Sequence, residues 1–161
     1  MAKKGTKEER SGPKGAQNRR ARYDYHIEEE HEAGIVLVGS EVKSLYEGKA
    51  NLTDGFAIVR GGELWLINLE IEPYDRAASA FLQERRRDRK LLMHKKEIAT
   101  LERKAREKNY TMIPLELYFK SGKVKLRIGL GRGKKDYDKR ATIADKETKR
   151  ESARVRAGQR E

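Results

Sequence analysis

The residues of this sequence that are best suited to chemistry are cations grouped near the start of the first apolar pattern. Asn18-Arg19-Arg20-Ala21-Arg22 places three guanidinium groups within four residues. A guanidinium group binds a phosphate through two parallel hydrogen bonds, so Arg19, Arg20 and Arg22 are candidate phosphate ligands. A solvated basic arm that only raises solubility is the alternative interpretation.

A second polar group surrounds a short predicted helix. Ser40 suits the helix N-cap and Glu41 suits the first turn. Leu45 and Tyr46 follow Val42 at the helical spacings of three and four residues, and Gly48 can end the helix in the left-handed conformation. Cations, an acid and an amide border this stretch, namely Lys43, Lys49, Glu32 and Asn51. The structural alternative is a capped surface helix packed on a small sheet.

The charge distribution favours a polyanionic partner. The formal net charge is +12, the pI is about 9.9, and 40% of the residues are charged. Residues 1–22 hold eight Lys and Arg against two Glu, a net +6, and residues 132–161 hold eleven against six acids, a net +5. The 109 residues between them carry only +1, so the excess positive charge lies in two tails.

Enzymatic sites are poorly supported, and we expect neither a cofactor nor a metal. His26, His31 and His94 are scattered, without the four-residue spacing of a helical metal site. The acids 28–30 and Glu32 alternate between the two faces of a strand, which favours a solvated strand edge over a metal site. Residues 129–133 (Gly-Leu-Gly-Arg-Gly) lack the ending of a phosphate loop and are interpreted as a hinge.

Cellular location follows from two absences in the sequence. There is no cysteine, which excludes disulfides and thiolate zinc sites and is compatible with a reducing cytoplasm. Residues 1–22 lack the apolar core of a signal peptide, and no apolar run approaches the roughly 18 residues of a membrane span. We expect a cytoplasmic, monomeric protein with no membrane partner.

Alternating apolar residues predict strands at residues 23–31, 55–60, 63–71, 111–120 and 123–131, and the run 35–38 is counted as a sixth. Gly61-Gly62 and Ser121-Gly122 are hairpin turns, and Lys123, Lys125 and Arg127 give the last strand a basic outer face. Residues 95–108 have helical periodicity and Asn109 suits the helix stop. The Arg-rich residues 75–89 are interpreted as an exposed loop, with plain solvation as the alternative.

These elements predict a mainly β fold. The expected architecture is a small antiparallel six-stranded barrel of oligonucleotide-binding (OB) type, with two or three peripheral α-helices and a disordered basic C-terminal tail. The expected units are a disordered basic arm over 1–17, the barrel over 18–131 and the tail over 132–161. The tail has few apolar residues but good helix propensity, so we expect it to be unstructured alone and to fold against RNA.

Several motifs in one order carry a family resemblance. These are Asn18-Arg-Arg-Ala-Arg22, Glu32-Ala-Gly34, Glu41-Val-Lys-Ser-Leu45, Gly48-Lys-Ala-Asn51, Arg89-Lys-Leu-Leu92, Pro114-Leu115, Leu117-Tyr-Phe119, Gly133-Lys-Lys135 and Tyr137-Asp-Lys-Arg140. In this order the chain, over roughly 18–140, resembles the SsrA-binding protein (small protein B) family of bacterial trans-translation. Tyr46 and Thr148 stand where the family usually has Arg and Trp.

The resemblance implies a non-catalytic RNA-binding adaptor. Such a protein holds the tRNA-like domain of transfer-messenger RNA and brings it to the empty decoding site of a stalled ribosome. The implied RNA-binding residues, together with the arginines above, are Asn18, Glu32, Lys43, Lys49, Asn51, Lys90, Leu92 and Lys125. The implied ribosome-binding tail, which enters the vacant mRNA channel of the small subunit, comprises Lys134, Lys135, Tyr137, Asp138, Lys139 and Arg140. The alternatives are a structural ribosomal protein and, less well supported, a metal-dependent ribonuclease.

Overall fold

The computed structural model describes residue 13 and residues 15–77 and 84–158. The strands in this part of the chain are β1 (Ala16–Gln17), β2 (Tyr25–Ile35), β3 (Ala50–Asn51), β4 (Phe56–Arg60), β5 (Glu63–Ile67), β6 (Glu70–Ile71), β7 (Arg89–Leu92), β8 (Thr111–Lys120) and β9 (Lys123–Gly133). The helices are α1 (Ala21–Asp24), α2 (Gly39–Tyr46), α3 (Lys95–Glu107) and α4 (Asp136–Gly158). None of these described helices is long and apolar enough to cross a membrane.

Six strands close into an antiparallel ring. Their order is β8–β4–β5–β7–β2–β9, and β9 pairs again with β8 to complete it. Strand β1 pairs with the edge of β8 that does not face β9. Strands β3 and β6 pair in a separate small sheet. Closure removes the unpaired strand edges that would otherwise invite aggregation. The predicted mainly β, six-stranded barrel of OB type is therefore confirmed.

Alternation along the strands fills the ring with leucine and isoleucine. Leu64 and Leu66 of β5 and Leu126, Ile128 and Leu130 of β9 are completely buried. Helix α2 contributes Leu45 to the same cluster, and α3 contributes Ile98 and Leu101. Burial of each such side chain contributes about 1.5–3 kcal/mol, so these side chains form the main stabilising core.

The identity of one ring strand differs from the prediction. Residues 36–38 are not a strand, because β2 continues only to Ile35 and the chain then turns into α2. The sixth strand is β7, which pairs with β2 through Leu92 opposite Gly34 and with β5 through Leu91 opposite Leu64. Its alternation was hidden by Arg89, a charged residue at an inward-facing position.

Arg89 also corrects the interpretation of residues 75–89 as an exposed arginine loop. Its side chain is fully buried and donates hydrogen bonds to Glu41 Oε2 at 2.7 Å and to the Leu69 carbonyl at 2.7 Å. Arg87 pairs with the same carboxylate, which is itself 4% exposed. Burial lowers the pKa of Arg89, and the charge of Glu41 opposes this effect. These two arginines join β7 to α2, while residues 78–83 lie outside the described part of the chain.

The predicted turns and helices agree with the structure in most details. Gly61 and Gly62 have φ of 62° and 75°, as expected for a turn between β4 and β5, and Asn109 ends α3 with φ 53°. Helix α2 begins at Gly39, so its N-cap is Val38 and not the predicted Ser40, and a hydrogen bond from the Val38 N–H to Glu41 Oε1 at 3.1 Å caps its first turn. Glu41 therefore serves both as a cap and as the partner of the buried arginines.

The chain beyond the barrel is helical in this structure. Helix α4 has no buried residue, and near its start Asp138 lies close to His26 and Lys139 lies close to Asp24. The prediction that residues 132–161 are unstructured in isolation stays a prediction. Of the predicted basic arm, residues 1–12 and 14 lie outside the described residues, whereas Ala16–Gln17 form β1 against Leu117 and Glu116.

Candidate nucleic-acid interface

Four adjacent strands place one row of residues across the outside of the barrel. Tyr118 of β8 is opposite Lys125 of β9, Lys125 is opposite Gly34 of β2, and Gly34 is opposite Leu92 of β7. We call these four residues the outer row. Two of the predicted RNA-binding residues, Lys125 and Leu92, are thereby brought to either side of one glycine.

A bulge in β2 sets which side chains reach this face. The register with β9 shifts between Ile27 and Glu29, so Glu28 is an extra residue in the strand. Beyond the bulge, Ala33 and Ile35 are buried in the core, and Glu32 and Gly34 therefore face outward. Without this shift the opposite set of side chains would face the solvent.

Glu32 is held beside the outer row by two neighbours. The Tyr118 hydroxyl donates a hydrogen bond to Glu32 Oε2, and Lys120 Nζ lies 3.3 Å from the same oxygen. The hydrogen bond from Tyr118 is the main reason that the pKa of Glu32 is lowered. Burial and the bond to Glu32 raise the pKa of Tyr118 to about 12. Glu32 is thus an ionised acceptor and Tyr118 a neutral donor at neutral pH.

Leu92 forms the floor of a shallow depression with a volume of about 590 Å³. The side chain is 53% exposed, and Lys125, Glu32 and His94 line the same depression. Gly34 gives Leu92 its space, since a Cβ atom at residue 34 would lie 3.2 Å from Leu92 Cβ. An exposed apolar side chain can pack against an unstacked base, while the neighbouring cation and carboxylate can contact phosphate and ribose.

Arg127 extends this surface along β9. Its guanidinium group lies 3.0 Å from Glu116 Oε2 and 3.7 Å from Glu30 Oε2, and it lies over the Tyr118 ring at 5.3 Å. Arg127 was predicted in the basic outer face of this strand but not among the site residues, and neither Tyr118 nor Lys120 was predicted in the site. The signal for all three was their alternation with buried residues in β8 and β9.

Asn18 lies inside the protein, with 8% of its surface exposed. Its Nδ2 donates hydrogen bonds to the carbonyls of Pro114 at 3.0 Å and Leu52 at 3.3 Å, and its Oδ1 accepts one from the Ala21 N–H at 3.1 Å. These contacts tie the start of α1 to β8. Asn18 therefore orients the arginines that follow it, and its predicted contact with RNA stays a prediction.

Those arginines lie at the surface beside a second depression. Arg19 and Arg22 line a hollow with a volume of about 370 Å³, together with Gln17, Asn18, Leu115, Glu116, Arg127 and Lys146. We call it the arginine hollow. Arg22 donates a hydrogen bond to Glu30, and Arg20 lies 3.6 Å from Asp24.

The remaining predicted RNA-binding residues make local contacts elsewhere. Lys43 lies 5.5 Å from the centre of the Tyr74 ring, and Asn51 Oδ1 accepts a hydrogen bond from the Thr53 N–H at 2.9 Å. Lys49 pairs with Asp75 at 3.0 Å and with Glu47 at 3.1 Å, and these acids raise its pKa. Lys90 pairs with Glu63 at 2.7 Å on the outside of β7. The contacts of Lys43, Lys49 and Asn51 thus involve no residue of the outer row.

The predicted tail residues divide into anchored and exposed sets. Lys139 lies 3.7 Å from Asp24, and Asp138 lies 3.4 Å from His26. Lys134 Nζ donates a hydrogen bond to the Arg22 carbonyl at 2.9 Å. The exposed set is Lys135, Tyr137 and Arg140.

A closed β-barrel with a cationic, partly apolar outer face is typical of nucleic-acid-binding barrel proteins. The sequence model for the SmpB protein family matches residues 15–157. The chain therefore belongs to the SmpB family, and the resemblance seen in the sequence motifs is confirmed.

Similar proteins support this assignment over nearly the whole chain. The SsrA-binding protein of Thermobifida fusca (strain YX) is 52% identical over 156 residues, which cover 96% of this chain and 97% of the relative. The SsrA-binding protein of Desulforudis audaxviator (strain MP104C) is 54% identical, covering 88% and 92%. A solved chain described as "tmRNA-SmpB: a journey to the center of the bacterial ribosome" is 50% identical with a TM-score of 0.63, covering 74% of this chain and 84% of that one.

Proposed function

We propose that this protein is a non-catalytic RNA-binding adaptor of trans-translation. It binds the tRNA-like domain of transfer-messenger RNA and delivers it to the vacant A site of a stalled ribosome, where the nascent peptide is tagged. Family membership supports this function, as does the solved SmpB neighbour described together with tmRNA and the bacterial ribosome. The observation that carries it is the outer row beside Glu32, which presents a base-stacking surface, a cation and an ionised acceptor together.

Each part of this surface has a distinct role. Lys125 contacts an RNA phosphate, and Leu92 packs under an unstacked base. Glu32 accepts a hydrogen bond from a ribose hydroxyl or a base amino group, and the Tyr118 bond that lowers its pKa keeps the carboxylate ionised. RNA with exposed bases, such as the loops of a tRNA-like domain, suits this arrangement better than a regular duplex.

The tail has a separate role in the ribosome. Lys134, Lys135, Tyr137, Asp138, Lys139 and Arg140 enter the mRNA channel when it holds no messenger. Because α4 buries no residue, leaving the barrel breaks only surface contacts. Each exposed ion pair contributes about 0–1 kcal/mol, so the electronegative channel can compete for the tail.

Crosslinking the protein in cells and sequencing the attached RNA tests the proposed ligand. We expect transfer-messenger RNA, with crosslinks concentrated in its tRNA-like domain. Recovery of ribosomal RNA alone, in proportion to total ribosomes, would instead identify a structural ribosomal protein.

A pair of glycine variants tests the RNA surface. Gly34→Ala places a methyl group 3.2 Å from Leu92 Cβ and should displace that side chain, so we expect weaker binding of the tRNA-like domain. Gly39→Ala is the matched control, since a Cβ atom there meets nothing within 4 Å. Equal RNA affinities of the two variants would contradict the proposed contact between Leu92 and the RNA.

The exposed tail residues test the second role. Lys135→Ala combined with Arg140→Ala should preserve RNA affinity but abolish the rescue of stalled ribosomes. Lys135 and Arg140 are replaced, and Lys134 and Lys139 are kept, because Lys134 and Lys139 also contact Arg22 and Asp24. A comparable loss of RNA affinity would contradict the proposed division between barrel and tail.

A further inference from the structure

The arginine hollow is bounded on one side by the barrel and on the other by α4. Arg19, Arg22 and Arg127 belong to the barrel side, and Lys146 belongs to α4. The hollow therefore brings a residue from the tail helix together with residues of the RNA-binding barrel.

The cations around the hollow outnumber its acids. Arg127 and Arg22 share the carboxylate of Glu30, and Arg127 also pairs with Glu116. Neither Arg19 nor Lys146 forms an ion pair within the described residues. The hollow of about 370 Å³ is lined by four cations and by Glu116, and with Glu30, which pairs with two of these cations, the net charge is +2. An anion placed between Arg19 and Lys146 would relieve the repulsion among these cations.

The contacts of α4 with the barrel set the position of Lys146. Lys134 Nζ donates hydrogen bonds to the Arg22 carbonyl and to Thr142 Oγ1, each at 2.9 Å. Thr142 and Lys146 are four residues apart and so lie on the same face of the helix. The face anchored to α1 is thus the face that directs Lys146 to the arginine hollow.

We propose that the arginine hollow binds a phosphate of the captured RNA backbone and that Lys146 completes this site from α4. The proposal rests on the proposed function, because that function supplies the RNA. Guanidinium and ammonium groups are the side chains that most often bind phosphate oxygens. A phosphate held by both sides links α4 to the barrel, so RNA binding favours the docked position of the helix. The tail helix therefore contacts the captured RNA first, and its residues enter the mRNA channel of the ribosome afterwards.

Charge removal at two lysines of α4 tests the site. Lys146→Ala should weaken binding of the transcribed tRNA-like domain several-fold and reduce the slope of log affinity against log salt by about 1. Lys149→Ala is the matched control, because Lys149 is an exposed lysine of the same helix that does not line the hollow. Fluorescence anisotropy at several salt concentrations measures both quantities, and thermal unfolding checks that the barrel is intact.

A double-mutant cycle adds a readout that a general charge effect does not move. Arg19→Ala and Lys146→Ala should be non-additive, because both residues contact the same phosphate, whereas Arg19→Ala and Lys149→Ala should be additive. Hydrogen exchange of α4 should slow on RNA binding in the unsubstituted protein and slow less in the Lys146→Ala variant.

The outcomes separate this proposal from the proposed function. Normal RNA binding with equal effects of Lys146→Ala and Lys149→Ala would overturn the phosphate site and leave the adaptor function intact. A loss of ribosome binding by Lys146→Ala with unchanged RNA affinity would also overturn it. Failure of the unsubstituted protein to bind the tRNA-like domain would overturn both.

Discussion

At the scale of single residues, Asn18 belongs to the predicted RNA-binding residues and yet lies in the interior of the protein. All three of its side-chain hydrogen bonds go to backbone groups of the protein. We therefore expect Asn18 to affect RNA binding by positioning Arg19 and Arg22.

Asn18→Ala should lower the free energy of unfolding by about 1–3 kcal/mol, because it leaves buried backbone groups without their partner. Urea denaturation measures the change. Asn51→Ala is the control, since Asn51 is exposed and its side chain makes a single local hydrogen bond. Loss of RNA affinity in Asn18→Ala without a loss of stability would instead assign Asn18 a direct contact.

Tyr118 controls the ionisation of Glu32. Tyr118→Phe removes the hydrogen bond that is the largest cause of the lowered pKa, so the pKa of Glu32 should rise towards its ordinary value of 4.5. Because the folded value lies below 4.5, Glu32 contributes stability that is present above about pH 4.5 and is lost as the pH falls through the folded pKa. The Tyr118→Phe variant should lose less stability on acidification.

Carbon-detected NMR titration of the Glu32 carboxyl group measures this shift directly. Tyr110→Phe is a suitable control, because Tyr110 is not among the groups that shift the pKa of Glu32 and its ring instead lies 5.7 Å from Lys108 Nζ. An unchanged Glu32 pKa in Tyr118→Phe would show that Lys120 and Lys125 alone keep the carboxylate ionised.

At the scale of elements, the buried pair of Arg89 and Glu41 joins strand β7 to helix α2. Strand β7 carries Leu92 and α2 precedes Lys49 and Asn51, so this pair relates the two groups of predicted RNA-binding residues. The pair also explains how a strand of the ring can contain an inward-facing arginine.

Arg89→Met should lower the free energy of unfolding by about 3–5 kcal/mol, because it leaves the carboxylate of Glu41 buried with a weaker set of partners. Lys90→Met is the comparison on the same strand, where the exposed pair with Glu63 contributes about 0–1 kcal/mol. Chemical denaturation measures both. Combining Glu41→Leu with Arg89→Met should recover part of the loss, and a further loss in the double variant would argue against an unpaired charge as the cause.

At the scale of the whole molecule, most excess charge lies outside the barrel, while the predicted RNA-binding surface is largely within it. RNA affinity should fall steeply with salt, because several phosphates are neutralised. Lys125→Ala should reduce the salt slope by about 1, and replacing exposed Lys135 and Arg140 should leave it unchanged. Equal reductions in both variants would place RNA contacts around the start of the tail helix, at Lys135 and Arg140.

The family motifs predicted more residues of the candidate RNA-binding site than the hydrophobic periodicity of the sequence did. Glu32, Leu92 and Lys125 were expected from the resemblance, and the fold brings them around Gly34. Tyr118 and Lys120 were not expected in the site, and Arg127 was expected only as part of the basic outer face of β9, because each lies in an ordinary alternating pattern. Their roles depend on side chains that approach them from neighbouring strands.

The sequence alone determined the features that depend on neighbouring residues. Alternation with two glycines determined the hairpin of β4 and β5, and helical spacing with Asn109 determined α3, because turns and periodicity are local properties. The tertiary structure alone decided that β7 closes the ring, that Arg89 is buried against Glu41, and that Lys146 reaches the arginine hollow. These features join residues far apart in the chain, and no local pattern specifies which distant partner compensates a charge or completes a sheet.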